Sequence, residues 1–228
     1  MICVPVFLAS AFFFLVSPSG FNTSSCEYTP VPNEEDDTEE GQSALISDSV
    51  LNVNLTVTDK IYLVRGLLRF MLPLGAVYYF EYLINQGLFE LLYFPKSFLD
   101  HQQQYRWYQL IYQIGVLISR SSLGCLIINR IYLLSFFQGV NLLLLSLQSV
   151  NWTLSGSLGL ILIFIFVFWE GLLGGAAYVN TFHKISQETE VHHREFSLGI
   201  ASLADSMAIG LAGLSALPIH NLICKIPL

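Results

Sequence analysis

Five apolar blocks, each long enough to cross a hydrocarbon core of about 30 Å, follow one another down the chain. They lie near residues 61–94, 105–123, 126–147, 158–186 and 196–217. An open strand edge cannot be satisfied in lipid, so the expected fold is all-α: a polytopic helical membrane protein. The first and fourth blocks exceed one straight span and are expected to tilt, break or project past the bilayer. The connections PKSFLDHQQQ, GC, QSVNWTLSGS and the polar run around QETEVHHRE are short, which predicts that consecutive helices are antiparallel neighbours.

Composition agrees. Hydrophobic residues make up 54% of the 228 and charged ones 12%, with a mean hydropathy of +0.58, outside the ordinary range for a soluble domain. Ahead of the five spans, residues 1–17 hold an apolar run too short for a secure crossing and without a positive flank, read as a partial span. Residues 18–60 are rich in Ser, Pro, Asp and Glu and bury too little apolar area to fold, so they are expected to form a disordered acidic loop. Residues 61–228 form the helical membrane domain.

The formal charge of −7 comes from that loop, where residues 18–60 hold nine of the 17 acids but one of the ten bases. A nucleic-acid partner would need a basic stripe, and the sequence has none. Basic residues near span ends orient the chain: with the acidic loop cytosolic, seven fall on the cytosolic side and three opposite. The competing reading, a cleaved signal peptide with a lumenal loop, inverts every span. In the favoured orientation Asn151, in the sequon NWT, sits in a lumenal turn and is the glycosylation candidate. Cys3, Cys26, Cys125 and Cys224 show neither CxxC spacing nor a histidine pattern, so free thiols are expected, with no zinc site and no disulfide framework. No nucleophile elbow, HExxH or paired metal motif is present, and neither an enzyme nor a cofactor is expected.

The polar residues inside the apolar blocks carry the functional argument, because an ionised group at the bilayer centre costs roughly 3 kcal/mol or more. In YYFEYLINQGLFELLYF, Glu81 and Asn85 are four apart, as are Gln86 and Glu90, so these groups form an inclined band on one side of a helix. The band reads either as the lining of a solute path, with Glu81 the deepest proton acceptor, or as helix-to-helix hydrogen bonding with Glu90 at the interface. In WEGLLGGAAYVNTFH, Gly171 and Gly175 make a GxxxG pair for close helix packing, whereas Glu170 must be neutral, paired or facing water. Asn180 and His183 follow on the same helix. Ala204, Ala208, Ala212 and Ala216 recur every four residues as a smooth contact stripe. Beside that stripe Asp205 needs a partner, for which Arg120 and Arg130 are candidates. Tyr105, Arg106, Trp107, Tyr108, Gln109, Tyr112 and Gln113 open the second block and read as an interfacial belt.

The segments FEYLINQGLFELLYF, QQYRWYQLIYQIGVLISRSSL, EGLLGGAAYVNTFH and HREFSLGIASLADSMAIGLAGLSALPIH resemble the corresponding parts of the battenin family of lysosomal membrane proteins, in the family's order and over nearly the whole chain. That family is similar to the major facilitator superfamily, in which the path runs between two helical halves. The resemblance implies the C-terminal half of such a bundle, with another half of about six spans preceding it. It further implies lysosomal or late endosomal residence, roles in lysosomal pH and vesicle trafficking, and export of a small anionic solute, a glycerophosphodiester. An anion would want a cation in the path, and Arg120 is the candidate here. Two sorting features depart from the family's forms. Glu39, Glu40, Leu45 and Ile46 resemble an acidic dileucine signal with one residue too many between Glu40 and Leu45. Cys224 stands fifth from the end instead of fourth, against prenylation. The alternative class is a non-transporting adaptor, with the acidic loop recruiting trafficking proteins and the buried polar groups only holding helices together.

Overall fold

A computed structural model describes residues 57–124, 127–151 and 154–225, and among these the backbone is helical with no strand. The partial span over residues 1–17 and the sorting-like residues Glu39, Glu40, Leu45 and Ile46 lie outside the described residues. The elements are α1 (Val57–Leu83), continued by a π-helical turn Ile84–Leu88, then α2 (His101–Ser121), α3 (Ile131–Asn151), α4 (Gly156–Glu188) and α5 (Val191–Cys224).

Several boundaries differ from those the sequence predicts. Helix α1 begins at Val57, inside the stretch expected to be loop, because the apolar face of the block extends back through Ile61 to that point. The same block does not stay helical to Phe94: it passes through the π turn and ends in a tight turn near Phe89. The third helix starts at Ile131, five residues later than expected, and the two-residue connection GC is instead a longer link.

Four helical stretches are both long and apolar enough to cross a membrane: Thr58–Leu88, Ile131–Asn151, Gly156–Glu188 and His193–Cys224. Helix α2 has 21 residues, about 30 Å at 1.5 Å per residue. Its glutamines, tyrosines and arginines make it too polar to be assigned to the bilayer by composition alone.

Helices α1, α3 and α5 start at one end of the bundle, here called the upper end, and α2 and α4 finish there. Sequence neighbours are antiparallel, as predicted, but the closest pairings are between parallel helices, α2 with α4 and α1 with α5. Small residues decide this. A methyl group added at Gly115 of α2 would lie 2.5 Å from Phe168 O, and one at Gly175 of α4 would lie 2.8 Å from Val116 O. Gly171 has no room at all beside Tyr112 O. Ser119 Oγ seals the crossing by donating to Leu172 O at 2.6 Å. On the other pair, the stripe on α5 faces α1: Ala208 lies opposite Gly75 and Ala216 opposite Gly87, and Ala212 is buried. In lipid, where no hydrophobic force drives helices together, such close backbone contact is a main source of cohesion.

Two apolar clusters fill the bundle. The upper one joins Leu74 and Val77 of α1, Leu134 and Phe137 of α3, and Trp169, Leu173 and Ala177 of α4. The lower one joins Ile84 and Leu88, Leu145 of α3, Ile163, Phe166 and Val167 of α4, and Tyr108 and Tyr112 of α2. Buried amides tie loops to these helices. Gln104 receives Phe94 N–H at 3.0 Å and donates to Phe94 O, Ser97 Oγ and Leu99 O, while Gln148 exchanges two 3.0 Å hydrogen bonds with the backbone of Leu154.

Candidate functional site

Between the two clusters lies a carboxyl site built by three helices. Glu81, on the last turns of α1, is 1% exposed and accepts a hydrogen bond from the Tyr112 hydroxyl of α2. Its carboxyl group rests against the bare Cα of Gly174 on α4, where a methyl group would overlap it. The glycines of EGLLGG therefore have separate tasks. Gly171 and Gly175 admit the α2 backbone, whereas Gly174 admits the Glu81 side chain.

Glu170 stands one helical turn before Gly174, is fully buried, and lies within electrostatic reach of both Glu81 and Tyr112. Neither of its oxygens has a hydrogen-bond partner. Asn85, one turn after Glu81, turns its amide back to donate to Glu81 O at 3.1 Å. This happens where the backbone widens into the π turn, closed by Phe89 N–H to Ile84 O at 3.1 Å, five residues back. The π turn sits beside the site.

Toward the upper end, Arg120 forms a second polar group. Its guanidinium lies over the Tyr178 ring, 4.5 Å from the centroid, and donates to the Tyr78 hydroxyl at 3.3 Å. Stacking on an aromatic face with some donors left over is a common arrangement for arginines that meet anions. Asp205 of α5 is buried and within electrostatic reach of Arg120, yet its close partner is Ser206, whose hydroxyl donates to Oδ1 at 3.2 Å. Among the described residues the one ion pair is Arg69–Glu188, exposed at the upper end, so none of the three buried acids is neutralised by a cation.

The structure gathers Glu81, Asn85, Glu170 and, further up, Arg120 and Asp205; the remaining candidates lie elsewhere. Gln86 is exposed beside Gly213 of α5, and Glu90 is exposed in the turn that follows the π segment. Asn180 receives Ile128 N–H at 2.6 Å and donates to Ala176 O at 2.9 Å, so it clamps the link between α2 and α3. His183 is half-buried near the upper end of α4 and Arg130 is exposed. Asn151 is exposed at the lower end of α3, and Cys224 is exposed and free. A groove of about 1110 Å³ opens at the upper end between the first turns of α1 and the α4–α5 link, lined by Tyr62, Arg65, Phe70, Glu190 and His193 among others, away from the carboxyl site.

Sequence reasoning missed Tyr112 as a partner of Glu81, having placed it in an interfacial belt. It also missed Gln138 and Asn141 of α3, both fully buried at mid-helix. A signal existed: Leu134, Gln138, Asn141 and Leu145 follow the three-and-four spacing of one inward face.

These features define a multi-pass helical membrane protein with buried acidic groups at mid-depth. The family model described as CLN3 protein matches residues 1–226, and the chain belongs to that family. It is 42% identical to dog (Canis lupus familiaris) battenin over 231 aligned positions, covering 99% of this chain and 51% of that protein. Protein btn1 of Aspergillus fumigatus is 46% identical over 166 positions, covering 71% of this chain and 35% of the relative. Protein BTN1 of Yarrowia lipolytica is 36% identical over 224, covering 97% and 55%. The chain thus spans about half the length, or less, of these curated relatives. No solved structure matches it significantly.

Proposed function

We propose that this chain supplies the proton-handling half of a solute transporter in the lysosomal or late endosomal membrane. The observation that carries the reading is the pair of fully buried carboxyl groups, Glu81 and Glu170, set on either side of Gly174 with no cation paired to either. Acids so costly to place in a bilayer mark ion and proton pathways more often than they mark packing.

The geometry supports a coupling step. With Glu81 ionised, the Tyr112 hydroxyl donates to it and links α1 to α2 across Gly174. A proton taken up by Glu81 turns that acceptor into a donor, weakens the link and frees α1 to shift against the tightly locked α2–α4 pair. Arg120, held by Tyr78 and Tyr178, offers its remaining donors to an anion at the upper, cytosolic mouth. A glycerophosphodiester suits that chemistry, and export of such a solute would connect the protein to lysosomal pH and trafficking. The other wall of the path would belong to the part of the relatives that this chain does not span.

The test is Glu81→Gln in the full-length context, reading solute export from isolated lysosomes. Export should fall at least tenfold with targeting intact. Unchanged export with normal targeting would leave the buried acids as helix-to-helix contacts and favour a non-transporting adaptor.

A further inference from the structure

The carboxyl site is one side of a wider polar layer. On α1 the layer comprises Glu81 and Asn85, on α4 Glu170, and on α3 Gln138 and Asn141. All five side chains are buried at the same depth, since each lies at the boundary between the upper and lower apolar clusters on its helix. On α3 the boundary falls after Phe137 and before Leu145; on α1, after Tyr78; on α4, next to Val167 and Trp169.

Six oxygens in this layer have no hydrogen-bond partner: Glu81 Oε2, Asn85 Oδ1, Gln138 Oε1, Asn141 Oδ1 and both Glu170 oxygens. Buried polar groups are nearly always satisfied, so this many orphans at one depth on three helices point to an occupant. A single proton would answer only one of these oxygens. A small cation would answer most of them together. Carboxylate and amide oxygens are hard ligands, which exclude copper- or zinc-type selectivity. Among the described residues no group of three or more His, Cys, Asp or Glu side chains is placed to hold a metal ion, so a divalent site with its usual excess of negative ligands is not formed. The orphaned atoms are shut off from water in this conformation, which favours a small ion over a large one.

We infer that the layer formed by Glu81, Asn85, Gln138, Asn141 and Glu170 is a binding site for a sodium ion. The inference rests on the reading above only for the purpose the ion serves, as the coupling ion or the competitor of the proton at the same carboxyls. The ion draws α3 onto α1 and α4, so binding would close the layer and hold it closed.

The experiment uses the full chain in lipid nanodiscs and reads the unfolding temperature in sodium chloride against choline chloride and potassium chloride at fixed pH and ionic strength. A saturable rise specific to sodium is expected. Gln138→Leu with Asn141→Leu replaces unsatisfied amides with apolar groups of similar size, so the protein should stay folded in choline while its sodium affinity falls at least tenfold. Asn141→Asp keeps the oxygen ligand and should retain the sodium response. Equal unfolding temperatures in the three salts, or a sodium response that survives the double leucine variant, would overturn the site. The readout is binding, not export, so loss of export in Glu81→Gln alongside a salt-independent unfolding temperature would sink the sodium site and leave the transporter reading standing.

Discussion

The carboxyl group of Glu81 occupies the space that any side chain at Gly174 would fill. Two helices are thereby matched at a single position, a large acid on α1 against a glycine on α4. Gly174→Ala should force the carboxyl out of its seat and destabilise the fold by about 1–3 kcal/mol, the usual cost of overpacking. Steric-trap unfolding in bicelles measures this. Gly199→Ala, where nothing lies within 4 Å of the added methyl, is the control and should have no adverse effect.

Tyr112→Phe removes the donor to Glu81 and leaves a buried acceptor unsatisfied. The expected loss is about 1–3 kcal/mol of stability. In the double variant Tyr112→Phe with Glu81→Leu the two losses should be strongly non-additive, because each removes the same hydrogen bond.

Asn180→Leu breaks the clamp on Ile128 N–H. Helix α4 itself should survive, since the lost contacts are with a link. Hydrogen exchange of residues 127–130 should rise by an order of magnitude or more while α4 stays protected. Uniform loss of protection would show that Asn180 holds the bundle and not the link.

The Arg69–Glu188 pair is exposed on both sides, with side chains 67% and 43% accessible. Exposed pairs are worth under about 1 kcal/mol, so Arg69→Ala should shift thermal unfolding only slightly, and less still in high salt. A large shift would mean that the groove at the upper end depends on this pair.

Much of the architecture could be read from the sequence because it rests on local patterns. Helices follow from long apolar blocks, and Gly171 with Gly175 and the alanine stripe announce close contacts through their spacing. The partners of those contacts could not be read. Gly175 says that a backbone comes near, but only the fold says that it is the backbone of Val116. The break at Ile84 was hidden for a similar reason, since no proline or glycine pair marks a π turn that is stabilised by Asn85 and by packing on α5. Glu81 and Glu170 stood out because a charge in an apolar run is costly. Gln138 and Asn141 did not, because an uncharged amide among leucines reads as ordinary helix pairing until its lack of a partner is seen.

The account depends on Glu81 lying among helices and not in lipid, directly against Gly174. The most direct measurement is disulfide formation between Glu81→Cys and Gly174→Cys in membranes, with Cys3, Cys26, Cys125 and Cys224 replaced by serine and full-length protein as the background. The account predicts rapid oxidation of this pair and none between Glu81→Cys and Leu117→Cys, whose side chain is exposed on α2. Absence of the first bond, with the thiol introduced in place of Glu81 instead reacting freely with a lipid-soluble maleimide, would contradict it.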